Sequence, residues 1–164
     1  MKKYLFIAAC IFQVLTSCKK ATDIAASNTI SATIDGVDES FSTSPSAQLS
    51  TGVTLNSNLG IYGTNGSATG ADALSITLQT NKTIATGTYT SGSSSIGAVQ
   101  ILYSHGTFSL VSPNTYTTDP TGTATTVTIS TLTNTNVQGT FSGKLFQGGS
   151  SKTVTNGKFN LTLK

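Results

Sequence analysis

The chain has 164 residues, only 9% of them charged, and nine lysines face six acids with no arginine. A nucleic-acid binder needs a basic patch and draws on the bidentate guanidinium, so that class is excluded. Cys10 and Cys18 are the two cysteines, and both precede the region of strand-like sequence, which therefore has neither a disulfide framework nor a thiolate metal site.

Met1-Lys2-Lys3 opens the chain, followed by an apolar run from Tyr4 to Leu15 that only Gln13 interrupts. A membrane-spanning helix needs roughly 20 apolar residues. The run is shorter, so a secretory signal is expected in place of a permanent span. It ends in Leu15-Thr16-Ser17-Cys18, which resembles the bacterial lipobox. That resemblance implies cleavage between Ser17 and Cys18 and attachment of diacylglycerol to the Cys18 thiol, with palmitate-type chains among the lipids carried by that residue. Two acyl chains hold a protein on a membrane stably where one does so marginally. The expected organisation is a leader over 1–17, a lipidated terminus and tether over 18–27, and one β domain over 28–164. The expected address is the bacterial cell envelope, at the outer membrane, through the lipid on Cys18. Loss of Lys2 and Lys3 leaves seven lysines against six acids, so the mature chain is nearly neutral. Lys19-Lys20 follow Cys18, where surface-exported Bacteroidetes lipoproteins tend to carry acids, so the membrane face is left open.

From Asn28 onward the pattern alternates with a period of two. Ile30, Ala32 and Ile34 share one face, and Asp35-Gly36 then predicts a type I′ hairpin turn into Val37–Phe41. Ser42 to Ser50, with Pro45, reads as a loop, and Val53 with Leu55 as the start of an edge strand. Leu59 and Ile61 belong to the next strand. The Gly60–Gly70 stretch lacks a Gly-Lys-Ser/Thr ending and reads as a turn, not a phosphate loop. Leu74, Ile76 and Leu78 alternate with Ser75, Thr77 and Gln79 in the cleanest strand. Ile84–Tyr89, Gly97–Ser104 and Phe108–Leu110 continue the series. Ser112 to Gly122 reads as the longest irregular crossing. Three strands close the chain: Thr123–Thr131, Val137–Phe146, and a last one bearing Phe159, Leu161 and Leu163. Gly139 and Gly143 on one face predict a bulge or close backbone approach, and Asn156-Gly157 a bulge or turn. About nine or ten short strands without a helical period predict an all-β fold, an antiparallel β-sandwich with a closed or partly open β-barrel as the alternative.

The order of these elements resembles a family of Bacteroidetes lipoproteins known only as a domain of unknown function. The likeness rests on Ile34-Asp35-Gly36, Leu59-x-Ile61-x-Gly63, Leu74-x-Ile76-x-Leu78 and Thr86-Gly87-Thr88-Tyr89. Val127-x-Ile129, Gly139-Thr140-Phe141-Ser142 and Thr155-Asn156-Gly157-Lys158-Phe159 complete it. It spans nearly the whole mature chain and implies no catalytic residues.

Chemistry-bearing residues are sparse. His105 is the sole histidine and precedes Gly106, which reads as a turn. A triad would pair it with a serine and with Asp119 or Asp72, but no nucleophile motif accompanies it. Zinc needs three or four ligands of Cys, His or carboxylate type, and calcium six to eight oxygens. Asp35, Asp38 and Glu39 lack such a loop, so no metal or cofactor is expected. The expectation is a non-enzymatic binding module for a glycan, peptide or envelope partner, with Tyr62 and Tyr116 as the candidate ligand contacts because an amphipathic ring can stack on a sugar. The alternatives are a structural or assembly subunit, pilus- or adhesin-like, and last a hydrolase relying on His105.

Overall fold

The computed structural model describes residues 25, 27–51, 57–67, 70–92, 98–106, 114–119 and 124–164. The leader, Cys18 and the expected strands at Val53–Leu55 and Phe108–Leu110 lie outside them. Among the described residues the regular structure is eleven strands: β1 Thr29–Ile34, β2 Val37–Ser40, β3 Thr43–Thr51, β4 Ser57–Thr64, β5 Ala73–Thr80, β6 Gly87–Thr90, β7 Ala98–Ser104, β8 Thr115–Thr118, β9 Thr126–Leu132, β10 Asn136–Gln147 and β11 Ser150–Thr162.

They form one antiparallel sheet in the order β2-β1-β11-β10-β8-β7-β5-β4-β3, with β6-β9 attached to β10 as a branch. The branch arises because β10 is long. Val137–Ser142 pair with β9, while Leu145 and Phe146 pair with β8. The sheet curls into a half-barrel, and β3 returns to the end of β11. There Ala47 bridges Leu163, and the Ala47 carbonyl accepts the Lys164 N–H at 3.0 Å.

Side chains of successive strand residues point to opposite faces, so the alternating apolar residues converge inside the curl. Leu59, Leu78 and Val99 form one cross-strand row, and Ile61, Ile76 and Ile101 the next. All six are buried, as are Ile30, Phe41, Val127, Leu145 and Leu161. The opposite parity supplies the outer face, which is mostly hydroxyl and amide. The β1–β2 turn is as expected, with Asp35 at φ 49° and Gly36 at φ 86°.

Between β10 and β11 two phenylalanines lie over two glycines. Gly139 is paired with Phe159, and Phe141 with Gly157. The rings stack with centroids 6.4 Å apart. A Cβ on Gly139 would meet the Thr128 carbonyl oxygen and the Phe159 ring, and one on Gly157 would meet the Phe141 carbonyl oxygen and ring. The register shifts next to this square, between Phe141 and Gly143. The bulge places Thr125 against Gly143.

Two stretches read as loops are strands. Thr43–Thr51 is β3 despite Pro45, because β3 lies at the end of the sheet path, where a missing N–H is tolerated. Ser44, at φ 49°, and a register shift between Thr43 and Ser46 absorb the proline. Thr115–Thr118 is β8, a four-residue strand held between β7 and β10. Its run of threonines flanking Tyr116 carries no clear apolar alternation, so tertiary pairing decides it.

Two substitutions test this packing. Gly139→Ala drives a methyl into backbone and ring, so its stability should fall by about 3 kcal/mol, the upper end for overpacking. The Thr125 hydroxyl is buried and, among the described residues, has no hydrogen-bond partner. Thr125→Val should therefore raise stability by about 1–2 kcal/mol, the desolvation cost of such a group. Urea denaturation of both variants reads the two signs.

Candidate functional site

At one mouth of the curl the polar residues gather around Asp72. The β4–β5 loop closes through a reciprocal pair: the Asn65 N–H donates to the Asp72 carbonyl at 3.0 Å, and the Asp72 N–H to Asn65 Oδ1 at 2.8 Å. The Asn65 amide also donates to Glu39 Oε2 at 3.2 Å, tying β2 to this loop. Asp72 itself is 6% exposed. Its carboxylate accepts the Tyr103 hydroxyl at 2.7 Å and the Gly106 N–H at 2.8 Å, and His105 Nδ1 lies 2.9 Å from Oδ1. An ionised carboxylate only accepts, so Nδ1 carries the proton. The His105 side chain is 71% exposed.

The electrostatics follow from this geometry. Burial pushes the Asp72 carboxyl up, but the Tyr103, Gly106 and His105 donors outweigh it and hold it below the ordinary value. Burial, then the neighbouring Asp72, pushes the Tyr103 hydroxyl far up, so it remains a donor. Tyr103 sits in an aromatic chain, edge-on to Phe41 at 6.3 Å and 6.5 Å from Tyr116. Lys152 lies 5.7 Å over the Tyr116 ring and 2.9 Å from Asp35 Oδ2. The Thr153 N–H and then Lys152 hold the Asp35 carboxyl low.

Of the two acids weighed as partners of His105, the structure brings Asp72 to it. That carboxylate already receives three donors from β7 and the turn after it. It acts as a fastener between the β4–β5 loop and the end of β7. The acids near the first hairpin each have their own partner: Asp35 takes Lys152 and Thr153, Asp38 takes the Thr33 hydroxyl at 2.7 Å, and Glu39 takes Asn65.

Tyr62 and Tyr116 lie on opposite faces of the sheet. Tyr62 belongs to the outer row Ser46–Tyr62–Ser75–Leu102–Thr117, and Tyr116 to the inner row Gly63–Leu74–Tyr103–Tyr116. They do not form one platform.

The second place with binding geometry is a groove of about 520 Å³ on the outer face of β2, β1 and β11. Ser31 and Thr33, Asp38 and Ser40, and Asn156 and Lys158 line it in pairs from the three strands. Its floor depends on a bulge. Asn156 stands at φ 52°, and β11 shifts register against both β1 and β10 there. A bulge re-aims the side chain it carries, and the Asn156 amide donates to the Thr33 hydroxyl at 3.3 Å. The groove thus offers hydroxyls, an amide, a carboxylate and an ammonium within one seat. The Asn156-Gly157 signal was legible in the sequence, but not the strands that would flank it.

Comparison of the chain with known protein families, with curated proteins and with solved structures finds no match in any of the three.

Acid titration tests the fastener. A carboxyl depressed in the folded state adds stability that is present above its ordinary value of 3.8 and lost as pH falls through the folded value. The urea midpoint should drop between about pH 5 and pH 2. Asp72→Asn should lower the midpoint at neutral pH and flatten that acid limb, leaving the smaller part due to Asp35.

Proposed function

We propose that this protein is a non-enzymatic binding module of the bacterial cell envelope, lipid-anchored through Cys18 at the outer membrane. Its partner, a glycan, peptide or other envelope component, is held in the groove on β2, β1 and β11. The observation that carries this reading is the groove itself, whose volume falls within the usual 300–1,000 Å³ of small-ligand sites. Its mixed donors and acceptors suit a polar partner. The Leu15–Cys18 motif supports the address, and the ordered strand-and-turn motifs support kinship with the Bacteroidetes lipoproteins they resemble. The His105–Asp72 pair favours a holding role over hydrolysis, because the carboxylate orients a turn as well as the imidazole.

A second reading, an assembly subunit, has one observation in its favour. β2 ends the sheet path, and Val37 on it is 60% exposed, the one large hydrophobic so exposed among the described residues.

Two measurements test the proposal. Mass spectrometry of the native product should find Cys18 acylated and N-terminal; an unmodified thiol on a secreted chain would remove the anchor. An array of glycans and peptidoglycan fragments should give ligands whose binding falls at least tenfold with Asp38→Asn plus Asn156→Ala, equivalent to about 1.4 kcal/mol. The same ligands should survive Tyr116→Ala. Loss of binding through Tyr116 alone would move the seat to the mouth.

A further inference from the structure

Strand direction sorts the connections of the sheet into two poles. Paired strands run antiparallel, so the connections after β1, β4, β7 and β10 lie at one end, the end of the Asp72 mouth. The turns after β5 and β9 and the end of β11 lie at the other. The chain enters β1 at that second pole. There the Asn160 amide donates to the Ala25 carbonyl at 3.0 Å, and the Thr162 N–H to Asn28 Oδ1 at 3.1 Å. Asn160 Oδ1 accepts the Asn136 amide at 3.0 Å, and the Leu163 N–H donates to the Thr135 carbonyl at 2.9 Å. Ala25 is thus fastened to the end of β11 and the β9–β10 turn, on the side of the domain away from His105.

The length of chain between Cys18 and this fastening limits how the domain can sit. Cys18 to Ala25 is seven steps along the chain, a reach of at most about 25 Å. β11 has 13 residues, about 40 Å of strand, which at the tilt of a curled sheet gives about 30 Å of height. A lipid on Cys18 holds the second pole against a bilayer with slack to spare. With the mouth turned down, Ala25 would stand near the far end of that height, and the tether would have to be drawn taut or beyond. Length alone still permits the domain to lie on its flank, and charge decides between flank and pole. Asp35, Asp38, Glu39 and Asp72 belong to the mouth end, and Asp119 follows β8 beside the middle of β7. The pole of Ala25 carries exposed Lys82 and Lys164 and, among the described residues, no acid. Lys19 and Lys20 stand next to Cys18 in the chain. An anionic leaflet attracts basic side chains held within about 8–10 Å of it.

Resting on the reading of Cys18 as the lipid anchor, we infer that the pole of Ala25, the β9–β10 turn, Lys82 and Lys164 is a membrane-docking surface for anionic lipid headgroups. The mouth then points away from the bilayer, and the groove on β2, β1 and β11 opens sideways, clear of lipid.

The experiment uses site-specific labels on the lipidated protein. Once the leader is removed, Cys18 is the sole cysteine, and its thiol is taken up by lipid, so one introduced thiol accepts one label. Asn134→Cys in the β9–β10 turn and Gly149→Cys in the β10–β11 turn mark the two poles, both at exposed positions. A Cβ at Gly149 meets nothing within 4 Å. The bimane-labelled proteins are reconstituted into vesicles of phosphatidylethanolamine and phosphatidylglycerol that carry a headgroup-nitroxide lipid. The label in the β9–β10 turn should be quenched at least threefold more than the label in the β10–β11 turn. Replacing phosphatidylglycerol with phosphatidylcholine, or combining Lys82→Glu with Lys164→Glu, should cut that difference at least by half. Urea midpoints should confirm that each variant folds. Equal quenching at the two poles, or stronger quenching in the β10–β11 turn, would overturn the inference and leave the anchor standing. A difference unchanged in neutral lipid and in the lysine variant would overturn headgroup docking and leave the tether alone to set the orientation. Bimane uptake by the unsubstituted protein, with failure to join vesicles, would overturn the anchor and the inference together.

Discussion

Two phenylalanine rings over two glycines join β10 to β11, and the rest of the fold is arranged about that seam. Gly139 leaves room for Phe159, and Gly157 for Phe141, so the strands meet with aromatic mass on the inner face and no Cβ in the way. Large rings shielding strand glycines recover the packing and pairing that glycine alone forfeits. The bulge beside the square has its extra residue on β11 and bends that strand. From that bend β10 can give one half of its free edge to β9 and the other to β8, and the sheet can curl far enough for β3 to reach the end of β11.

The mouth and the outer face are chemically different. At the mouth, charge is local and paired. Asp72 collects donors from Tyr103, His105 and Gly106, while Asp35 and Lys152 face one another beside Tyr116. Such interactions orient turns, and their energetic worth depends on the burial of the carboxylate: larger for Asp72, small for the exposed Asp35 pair. On the outer face Asp38 and Lys158 share the groove, and hydroxyls repeat at the strand spacing around them. An exposed sheet of this kind would ordinarily invite edge association.

Pro45 suggested a loop because proline cannot donate, yet at the edge of a sheet no donor is required, and β3 runs through it. Tyr116 falls in a stretch whose sequence reads as an irregular crossing; pairing of β8 with β7 and β10 turns it inward, half-buried under Lys152. Tyr62, on the opposite face, cannot join it. His105 was correctly expected in a turn, and Asp72 was one of two acids considered for it. Their meeting is a contact across 33 residues that no local pattern specifies.

What the amino-acid order determined by itself is local: alternation of Ile, Leu and Val with Thr and Ser, the Asp35-Gly36 turn, the glycines of β10, and a composition without arginine. These follow from side-chain period, positive φ and composition, each readable within a few residues. Only the tertiary structure decided which strands are neighbours, and therefore that Ser31, Asp38 and Asn156 share a groove and that three threonines, two serines and a lysine from six strands make one row. Cross-strand register is set by burial of the whole apolar face at once, and a slip of one residue would send every hydroxyl inward. No single segment holds that information.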